Sequence, residues 1–384
     1  MTHIEQMIQD MCPNGVEWKT LGEVCEMKRG STITANQAED GDIPVIAGGQ
    51  KPAYFHNQSN REGKNITVAG SGAYAGYVAY WEQPIFVSDA FTVTPKEATL
   101  DIKFVYYFLT NIQDKIYHTK KGSGVPHVHP SSIADFEIPH PPIEIQKKIV
   151  ECLDKFSALA AELQAELQAE LQMRRKQYEY YRTQLLTPHS DCNSADNTDD
   201  AQWEWKTLGE IGKNCDYMRK PITATHRIKG EYPYYGASGI VDYVEDYIFD
   251  GEYLLISEDG ANLLARSTPI AFSIEGKNWV NNHAHVLKFS HRCTQKIVEY
   301  YINSINIEQY VSGGAQPKLN QANLNKIPIP LPSLAEQARI VSILDKFEAL
   351  TTSVSDGIPA EQAAQQKRYE YYRDLLLTFD RKAV

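Results

Sequence analysis

The sequence repeats itself, and this internal repeat constrains the fold more than any other feature. Four segments occur twice: WKTLGE at 18–23 and 205–210, IPHP and IPLP at 138–141 and 329–332, LDKF at 153–156 and 344–347, and YEYYR at 178–182 and 369–373. The last three pairs are each separated by 191 positions, so the stretch between them contains no net insertion. The repeat predicts two halves, each with a variable globular region followed by a shared helical region, related by a pseudo-two-fold internal repeat.

Long helices are predicted after each globular region. Apolar residues from Ile145 to Leu185 recur every three or four positions, and no helix breaker follows before Pro188. About 42 residues at 1.5 Å each make a helix roughly 60 Å long. The second helical region, from Leu334 to Leu377, contains Gly-Ile-Pro at 357–359, which predicts a kink or an interruption. Because each helix has one apolar stripe, we expect the two to pair as an antiparallel coiled coil.

The globular regions are predicted to mix helices and strands. Apolar and β-branched runs predict strands at 66–69, 85–93, 253–256 and 279–289, and helical spacing predicts helices at 104–115 and 294–305. The fold class is therefore α/β (mixed α+β), with two globular domains separated by the coiled coil. We divide the chain into globular region 1–143, helix 144–187, acidic linker 188–201, globular region 202–332 and helical region 333–384.

Composition narrows the class of protein. The 384 residues carry a net charge of −11 and a mean hydropathy of −0.43, and no apolar run approaches the ~18 residues of a membrane span. The N-terminus has neither the basic head nor the apolar stretch of a signal peptide. Six irregularly spaced cysteines form no CxxC pair, which argues against a disulfide framework or a zinc site. These features predict a cytoplasmic protein.

No catalytic constellation is recognisable in the sequence. The glycine-rich stretch at 70–76 has the wrong spacing for a dinucleotide loop and continues as a predicted strand, and no GxxxxGK[ST] loop is present. The pairs His127/His129 and His283/His285 could chelate a metal, but no neighbouring carboxylate or cysteine supplies an obvious third ligand. We interpret these histidines as ordinary strand or loop residues, and we expect no metal and no catalytic residue.

Two similar modules in one chain suit the reading of two half-sites on duplex DNA. Charge opposes binding by this chain alone, because residues 1–143 sum to −5 and residues 202–332 to −1. We therefore expect a partner to supply most phosphate contacts.

The chain resembles the DNA-specificity subunits of type I restriction–modification systems along essentially its whole length. The resemblance is carried by CPNGVEW at 12–18, YPYYGASGI at 232–240, GGAQP at 313–317, the three AELQ tetrads at 161–172 and the doubled YEYYR. It implies two target-recognition domains, each reading half of a split, asymmetric DNA sequence. It also implies that the long helices dock two methyltransferase subunits, which use S-adenosylmethionine, and that two ATP- and Mg-dependent restriction subunits join them. This chain would then hold no cofactor itself.

Polar residues in the glycine-rich loops are the best candidates for reading DNA, because backbone there can approach a groove and Arg, Lys, Asn and Gln match base edges. The candidates are Lys28, Arg29, Thr32, Gln50, Ser71, Tyr74, Lys120, Lys121, His127, Arg219, Lys220, Tyr235, Ser238, Asn262, Arg266, Asn282, His283, Gln316 and Lys318. For partner docking on the helices they are Phe156, Leu163, Leu167, Leu171, Tyr178, Tyr181, Phe347, Leu350, Tyr369 and Tyr372.

Two other classes of protein remain open from the sequence. One is a protein-interaction scaffold with two globular heads on a coiled-coil rod, which suits the acidic charge and the tyrosine-rich helix ends. The other is an enzyme with an unrecognised site, for example a nuclease using Asp89, Glu258 and Asp259.

Overall fold

A computed structural model describes residues 3–122, 124–188, 203–314, 316–353 and 357–382. The predicted acidic linker therefore lies outside the described residues except for Pro188. The chain divides into two compact units. The first unit contains residues 1–166 and 361–384, and the second contains residues 167–360.

The first unit begins with a mixed α and β globular region. Its strands are β1 (Trp18–Thr20), β2 (Cys25–Arg29), β3 (Ile43–Ile46), β4 (Tyr54–His56), β5 (Asn65–Ala69), β6 (Val78–Trp81), β7 (Phe86–Val87), β8 (Ala90–Pro95) and β9 (Glu137–Pro139). Its helices are α1 (His3–Met11), α2 (Leu21–Val24), α3 (Ile102–Asn111), α4 (Gln113–His118) and α5 (Pro130–Ile133). A capping box, in which Thr20 and Glu23 bond each other's backbone N–H, starts α2.

Strands of the first unit form three small sheets. An antiparallel sheet has the order β2-β8-β5-β6, a second has the order β4-β3-β7 with β3 and β7 parallel, and β1 pairs with β9. The central strand β5 is buried at all five positions, as expected for a strand covered on both faces. Helix α3 packs on this sheet through Phe104, Val105 and Phe108.

The second unit repeats this topology. Its strands are β10 (Glu204–Thr207), β11 (Lys213–Asn214), β12 (Lys229–Gly236), β13 (Gly239–Val244), β14 (Phe249–Asp250), β15 (Tyr253–Ser257), β16 (Ala271–Ile274), β17 (Lys277–Val280), β18 (Ala284–Lys288) and β19 (Pro328–Leu331). Its helices are α7 (Leu208–Ile211), α8 (Asn262–Ala265), α9 (Arg292–Ser304) and α10 (Gln321–Leu324), and it has short 3₁₀ turns at Asp216–Met218, Ala224–His226 and Glu308–Tyr310. The sheet orders are β11-β18-β15-β16, β13-β12-β17-β14 and β10-β19, with β12 and β17 parallel. The predicted internal repeat is thus a repeat of sheet topology.

The shared helical regions are one long helix and two shorter ones. Helix α6 (Ile143–Leu186) is continuous over 44 residues. The second region is divided into α11 (Leu334–Thr352) and α12 (Ile358–Leu376), which confirms the predicted interruption. Gly357 explains why the chain can turn there, because a Cβ at this position would lie 2.7 Å from the carbonyl oxygen of Ala349.

Helices pair inside each unit, and in the first unit the contacts run antiparallel. In the first unit, Phe156 of α6 stacks on Tyr372 of α12 and the Ser157 hydroxyl lies 2.9 Å from that of Tyr369. In the second unit, Phe347 of α11 contacts both Tyr178 and Tyr181 of α6. Each globular region therefore seats the start of one helix and the end of another.

The C-terminal segment returns to the first globular region. Val16 donates its N–H to the carbonyl of Asp380 at 2.8 Å and accepts from the N–H of Lys382 at 2.9 Å. Leu377 and Phe379 are buried in the core of the first unit, where Phe379 packs edge-on against Phe104. The sequence-based division placed all of 333–384 in a helical region. In the structure, residues 377–382 follow the last helix and pack on the first globular region.

We expect Phe379→Ala to destabilise the first unit by about 3 kcal/mol, because a buried phenylalanine is replaced by a cavity. Amide hydrogen exchange of the intact chain should show faster exchange in α3 and β5 and unchanged exchange in β15 and α9. Asp380→Ala is the matched control, because its side chain is exposed and its backbone carbonyl is kept. Equal acceleration in both units would contradict this assignment.

Three predicted segments differ from the structure. The run 85–93 is divided into β7 and β8, and the run 279–289 into β17 and β18. In each case the first strand pairs in a different sheet from the second, so the chain has to turn between them. The predicted helix 104–115 is two helices, α3 and α4, which meet at Ile112.

Candidate nucleic-acid interface

The first loop cluster is formed by the end of β2 with the residues that follow it (28–32), by the glycine-rich loop 70–76 and by the paired segments 120–122 and 124–129, called the hairpin below. Lys121 and His127 exchange two backbone hydrogen bonds of 3.0 and 2.8 Å across the hairpin. The hairpin is held to the glycine loop, because Val128 donates to the carbonyl of Gly70 and Gly72 donates to that of Pro126. Backbone bonds thus fix the position from which His127 is presented.

Side chains link the parts of this cluster. The Nη2 of Arg29 lies 2.9 Å from Nδ1 of His129, whose ring stacks on that of His127. The Ser71 hydroxyl donates to the Asp89 carboxylate. The ammonium of Lys120 donates to the carbonyl of Ala73 and covers the Tyr117 ring. The cluster therefore brings together five predicted DNA-reading residues: Arg29, Ser71, Lys120, Lys121 and His127.

A neighbouring loop carries Gln50 to the same cluster. Gly48 lies against the glycine loop so closely that a Cβ there would sit 2.3 Å from the Ser71 carbonyl oxygen. Gln50 is exposed two residues later, as are Lys28, Thr32 and Tyr74 in the other loops. Sequence reasoning missed Arg61, whose guanidinium donates to the carbonyl of Arg29 at 2.9 Å and holds the end of β2. Arg61 is 32 residues from Arg29 along the chain, so no local sequence pattern indicates this contact.

The second loop cluster has the same backbone arrangement. It is formed by segment 215–220, the turn 236–239, the loops 257–262 and 281–283, and the paired segments 312–314 and 316–319, called the hairpin of this unit below. Ser312 and Lys318 exchange two hydrogen bonds of 2.8 and 2.7 Å, and Gly260 donates to the carbonyl of Pro317. Leu319 donates to the carbonyl of Glu258, as Val128 does to that of Gly70 in the first cluster. Lys318 therefore occupies the position that His127 occupies in the first unit.

A buried charge network underlies the second cluster. The Arg219 guanidinium lies 2.7 Å from a Glu258 oxygen and 3.3 Å from an Asp216 oxygen. The His285 ring lies 2.6 Å from Asp216 through Nδ1 and 2.7 Å from the Leu319 carbonyl through Nε2. Both ring nitrogens therefore lie within hydrogen-bond distance of oxygen atoms. The network joins three segments of the cluster through opposite charges.

Both carboxylates of this network have lowered pKa values. Burial would raise the pKa of Asp216, but hydrogen bonds and the charge of His285 outweigh it. Burial likewise opposes ionisation of Glu258, and the hydrogen bond from Arg219 together with the charge of His285 lowers its pKa. Both groups remain ionised at neutral pH, where they balance the cations that they contact.

The lowered pKa values predict acid sensitivity of the second cluster. Ionised Asp216 and Glu258 stabilise the folded chain above the unfolded carboxyl pKa of about 4, and this stabilisation is lost as the pH falls further towards their folded values. We expect amide exchange in 215–220 and 257–260, relative to 120–129, to accelerate below about pH 4. Asp216→Asn with Glu258→Gln should remove this pH dependence. Parallel acceleration in both hairpins would contradict the assignment.

The second histidine pair, His283/His285, contacts acidic groups that the sequence did not indicate. His283 lies 2.9 Å from Asp259, and Asp216, Glu258 and His285 have ligand atoms within 4.8 Å of one another. Sequence reasoning was wrong to find no neighbouring carboxylate, because these residues come from distant segments. The Arg219 guanidinium already contacts both Asp216 and Glu258, so a side-chain cation takes the place that a metal would need.

Three predicted DNA-reading residues use their side chains to hold other parts of the chain. Arg219 also donates to the Ala284 carbonyl at 2.7 Å. Arg266, at φ 52°, donates to the carbonyls of Ile302 and Ile305. The Asn262 side chain closes its own turn through Thr268 and Ser267. These side chains hold loops in place, and we reassign them from contact to support. The remaining candidates of the second unit are exposed or half-buried: Lys220, Tyr235, Ser238, Asn282, His283, Gln316 and Lys318.

The predicted docking residues fall into two groups, those that are buried or used in helix pairing and those that are partly exposed. Leu167 and Leu171 are each 6% exposed, so they are covered by the chain itself, and Phe156, Tyr178, Tyr181, Phe347, Tyr369 and Tyr372 take part in the helix pairing described above. Leu163 is half-buried and Leu350 is partly exposed. Sequence reasoning missed the most exposed apolar side chains of the helices, which lie off the stripe: Leu159, Met173, Tyr180 and Tyr371.

Helices α6 and α12 enclose an apolar groove in the first unit. The groove has a volume of about 440 Å³ and is lined by Phe156, Leu159, Leu163, Tyr369 and Tyr372. Leu159 is 60% exposed in it, and Glu162, Glu166 and Arg368 contribute charges to its lining.

Among the described residues, no helix combines the length and the apolar character that a membrane span requires.

Comparison with known proteins matches this architecture. The family model described as the type I restriction modification DNA specificity domain matches residues 13–173 and again 201–361. A specificity subunit of the Escherichia coli type I restriction enzyme EcoprrI is 31% identical over 385 residues, which cover 89% of this chain and 90% of that protein. A putative type I restriction enzyme specificity subunit of Haemophilus influenzae is 39% identical over 181 residues, or 46% of each chain.

Solved structures show the same fold. A chain from a type I restriction–modification system, studied for complex assembly, covers 95% of this chain and 98% of its own length with a TM-score of 0.64 and 17% identity. The HsdS subunit from Thermoanaerobacter tengcongensis gives a TM-score of 0.52 with 18% identity, covering 96% of this chain and 97% of its own length. The chain belongs to the type I restriction–modification specificity subunit family.

Proposed function

We propose that each loop cluster reads one half of a bipartite, asymmetric DNA sequence and that this chain performs no chemistry of its own. The observation that supports this most is the repeated framework. In both units an equivalent hairpin is hydrogen-bonded to an equivalent loop, 70–76 in the first unit and 257–262 in the second. The hairpin presents His127 in the first unit and Lys318 in the second. One framework with different exposed side chains suits two readers of different half-sites.

The exposed groups of the clusters have the chemistry that base reading needs. Lysine and arginine donate to guanine edges or phosphates, and asparagine and glutamine match adenine. The chain as a whole carries a charge of −11, so DNA held by it alone would meet net repulsion. Partner subunits therefore contribute most phosphate contacts, and this chain contributes sequence discrimination.

The helices provide the surface for those partners. Two methyltransferase subunits dock on them, one at each pair of helix segments, and two restriction subunits join the assembly. S-adenosylmethionine, ATP and Mg are held by the partners. The apolar groove of the first unit is the docking site for one methyltransferase subunit, because Leu159 in it is exposed although it lies on a helix of a folded chain.

Long-read sequencing that detects methyladenine tests this proposal. DNA would come from cells that express a type I methyltransferase subunit able to assemble with this chain, with or without the chain. We expect a new split motif that appears only when the chain is present. If methylation is unchanged while the two proteins still co-purify, the chain is a protein-interaction scaffold and not a DNA reader.

A further inference from the structure

We propose that Lys318 is the residue that sets the base preference of the second unit, and that Glu258 positions it for this role. The inference rests on the proposed function, because it names the residue through which one loop cluster discriminates sequence. His127 is the corresponding residue of the first unit.

The backbone places these two side chains at one equivalent position. In the first unit the backbone of His127 forms antiparallel β-bridges with Ser71 and with Lys121. In the second unit the backbone of Lys318 forms the same kind of bridge with Asp259 and with Ser312. The preceding residue is proline in both hairpins, at 126 and 317, and its carbonyl accepts from a glycine-loop N–H. Because the two frameworks match, the difference in side chain is the difference that DNA would meet.

Lys318 is both held and accessible. Its ammonium lies 3.1 Å from Glu258, while its side chain is 53% exposed. Glu258 is itself fixed by Arg219 at 2.7 Å and by its position at the end of buried strand β15. An ammonium held at a defined place can distinguish one base edge from another, whereas a freely moving lysine gives mainly sequence-independent attraction.

The first unit holds its corresponding residue by different means. Strands β5 and β8 of the first unit correspond to β15 and β18 of the second, and the pair Ala69/Ala90 corresponds to the pair Ser257/Ala284. One residue further along each strand, Gly70 therefore corresponds to Glu258 and Phe91 to His285. Glycine and phenylalanine supply no charge there, and His127 instead stacks on His129, which contacts Arg29. The buried charge network is therefore particular to the cluster that presents the lysine, as expected if its task is to position that cation.

A library of duplexes tests the inference in the assembled methyltransferase complex. Each duplex keeps the first half-site and the gap of the wild-type motif and varies the second half-site one base pair at a time, and relative methylation rates give the preference at each position. We expect Lys318→Met to reduce discrimination about tenfold at one or two adjacent base pairs, leaving the other positions unchanged. Glu258→Gln should reduce discrimination at the same base pairs. In a second library, which varies the first half-site and keeps the second constant, His127→Lys should alter the preference, and in the library that varies the second half-site it should have no effect.

The outcomes separate the inference from the proposed function. Lys229→Met is the matched control, because it removes the same charge at the start of β12, whereas the turn 236–239 of the loop cluster lies at the end of that strand. This control should leave every base preference unchanged. A uniform loss of rate over all duplexes with Lys318→Met would make this residue a phosphate contact and overturn the inference. Unchanged preferences would overturn it as well. If the wild-type complex itself shows no split motif, the proposed function fails instead.

Discussion

Deleting one AELQ tetrad, residues 165–168, should shorten the gap between the two recognised half-sites by one or two base pairs. Helix α6 is continuous through the tetrads, and its residues up to Glu166 belong to the first unit while those from Leu167 belong to the second. Four residues correspond to about 6 Å of helix and turn it about 40° beyond a full turn, and B-DNA rises about 3.4 Å per base pair. Methyladenine sequencing of cells that express the deletion variant measures the new gap.

The half-sites themselves should stay unchanged, because the deletion removes one of three identical units and alters neither loop cluster. Glu166→Gln provides a control that changes the tetrad without changing its length, and it should leave the gap as it is. A variant with new half-site sequences and the original gap would show that α6 does not set the spacing.

Leu159→Asp should weaken binding of the methyltransferase subunit that docks in the groove of the first unit at least about 30-fold. The substitution places a charge in the apolar groove, where docking would have to desolvate it. Because Leu159 is 60% exposed in the chain alone, the fold should not change. Titration of the chain with the purified methyltransferase subunit, followed by calorimetry, gives the affinity directly.

Leu375→Asp is the matched control for this prediction. Leu375 lies on α12 in the same unit, is 51% exposed and is not among the groove residues. The control should bind the methyltransferase subunit as the wild type does. Equal weakening by both substitutions would point to a general effect of charge on the helices, and no weakening by either would place the docking site elsewhere.

Local patterns in the sequence predicted the elements that depend on neighbours along the chain. Strands β5 and β15 were predicted within one residue of their observed bounds, and the Gly-Ile-Pro interruption falls where the structure separates α11 from α12. For the strands and the interruption the signal, hydrophobic periodicity or a helix breaker, lies within a short window. The internal repeat predicted two related halves, and the structure shows that their globular regions share one sheet topology.

Contacts between distant segments could not be predicted in this way. Asp216, Glu258 and His285 are separated by dozens of residues, so their network depends on the register of β15 with β18. The inward direction of Arg266 depends on carbonyls at the end of α9, which no local pattern indicates. Exposed arginine and buried arginine look alike in a sequence, because only the folded chain supplies the acceptors.

The pairing of Val16 with Asp380 and Lys382 joins segments that are far apart along the chain. During translation, the first globular region lacks part of its core until residues 377–382 have been made. A frameshift just before codon 377 should therefore act at a distance in the gene. It should impair reading of the half-site assigned to the first loop cluster more than reading of the half-site assigned to the second.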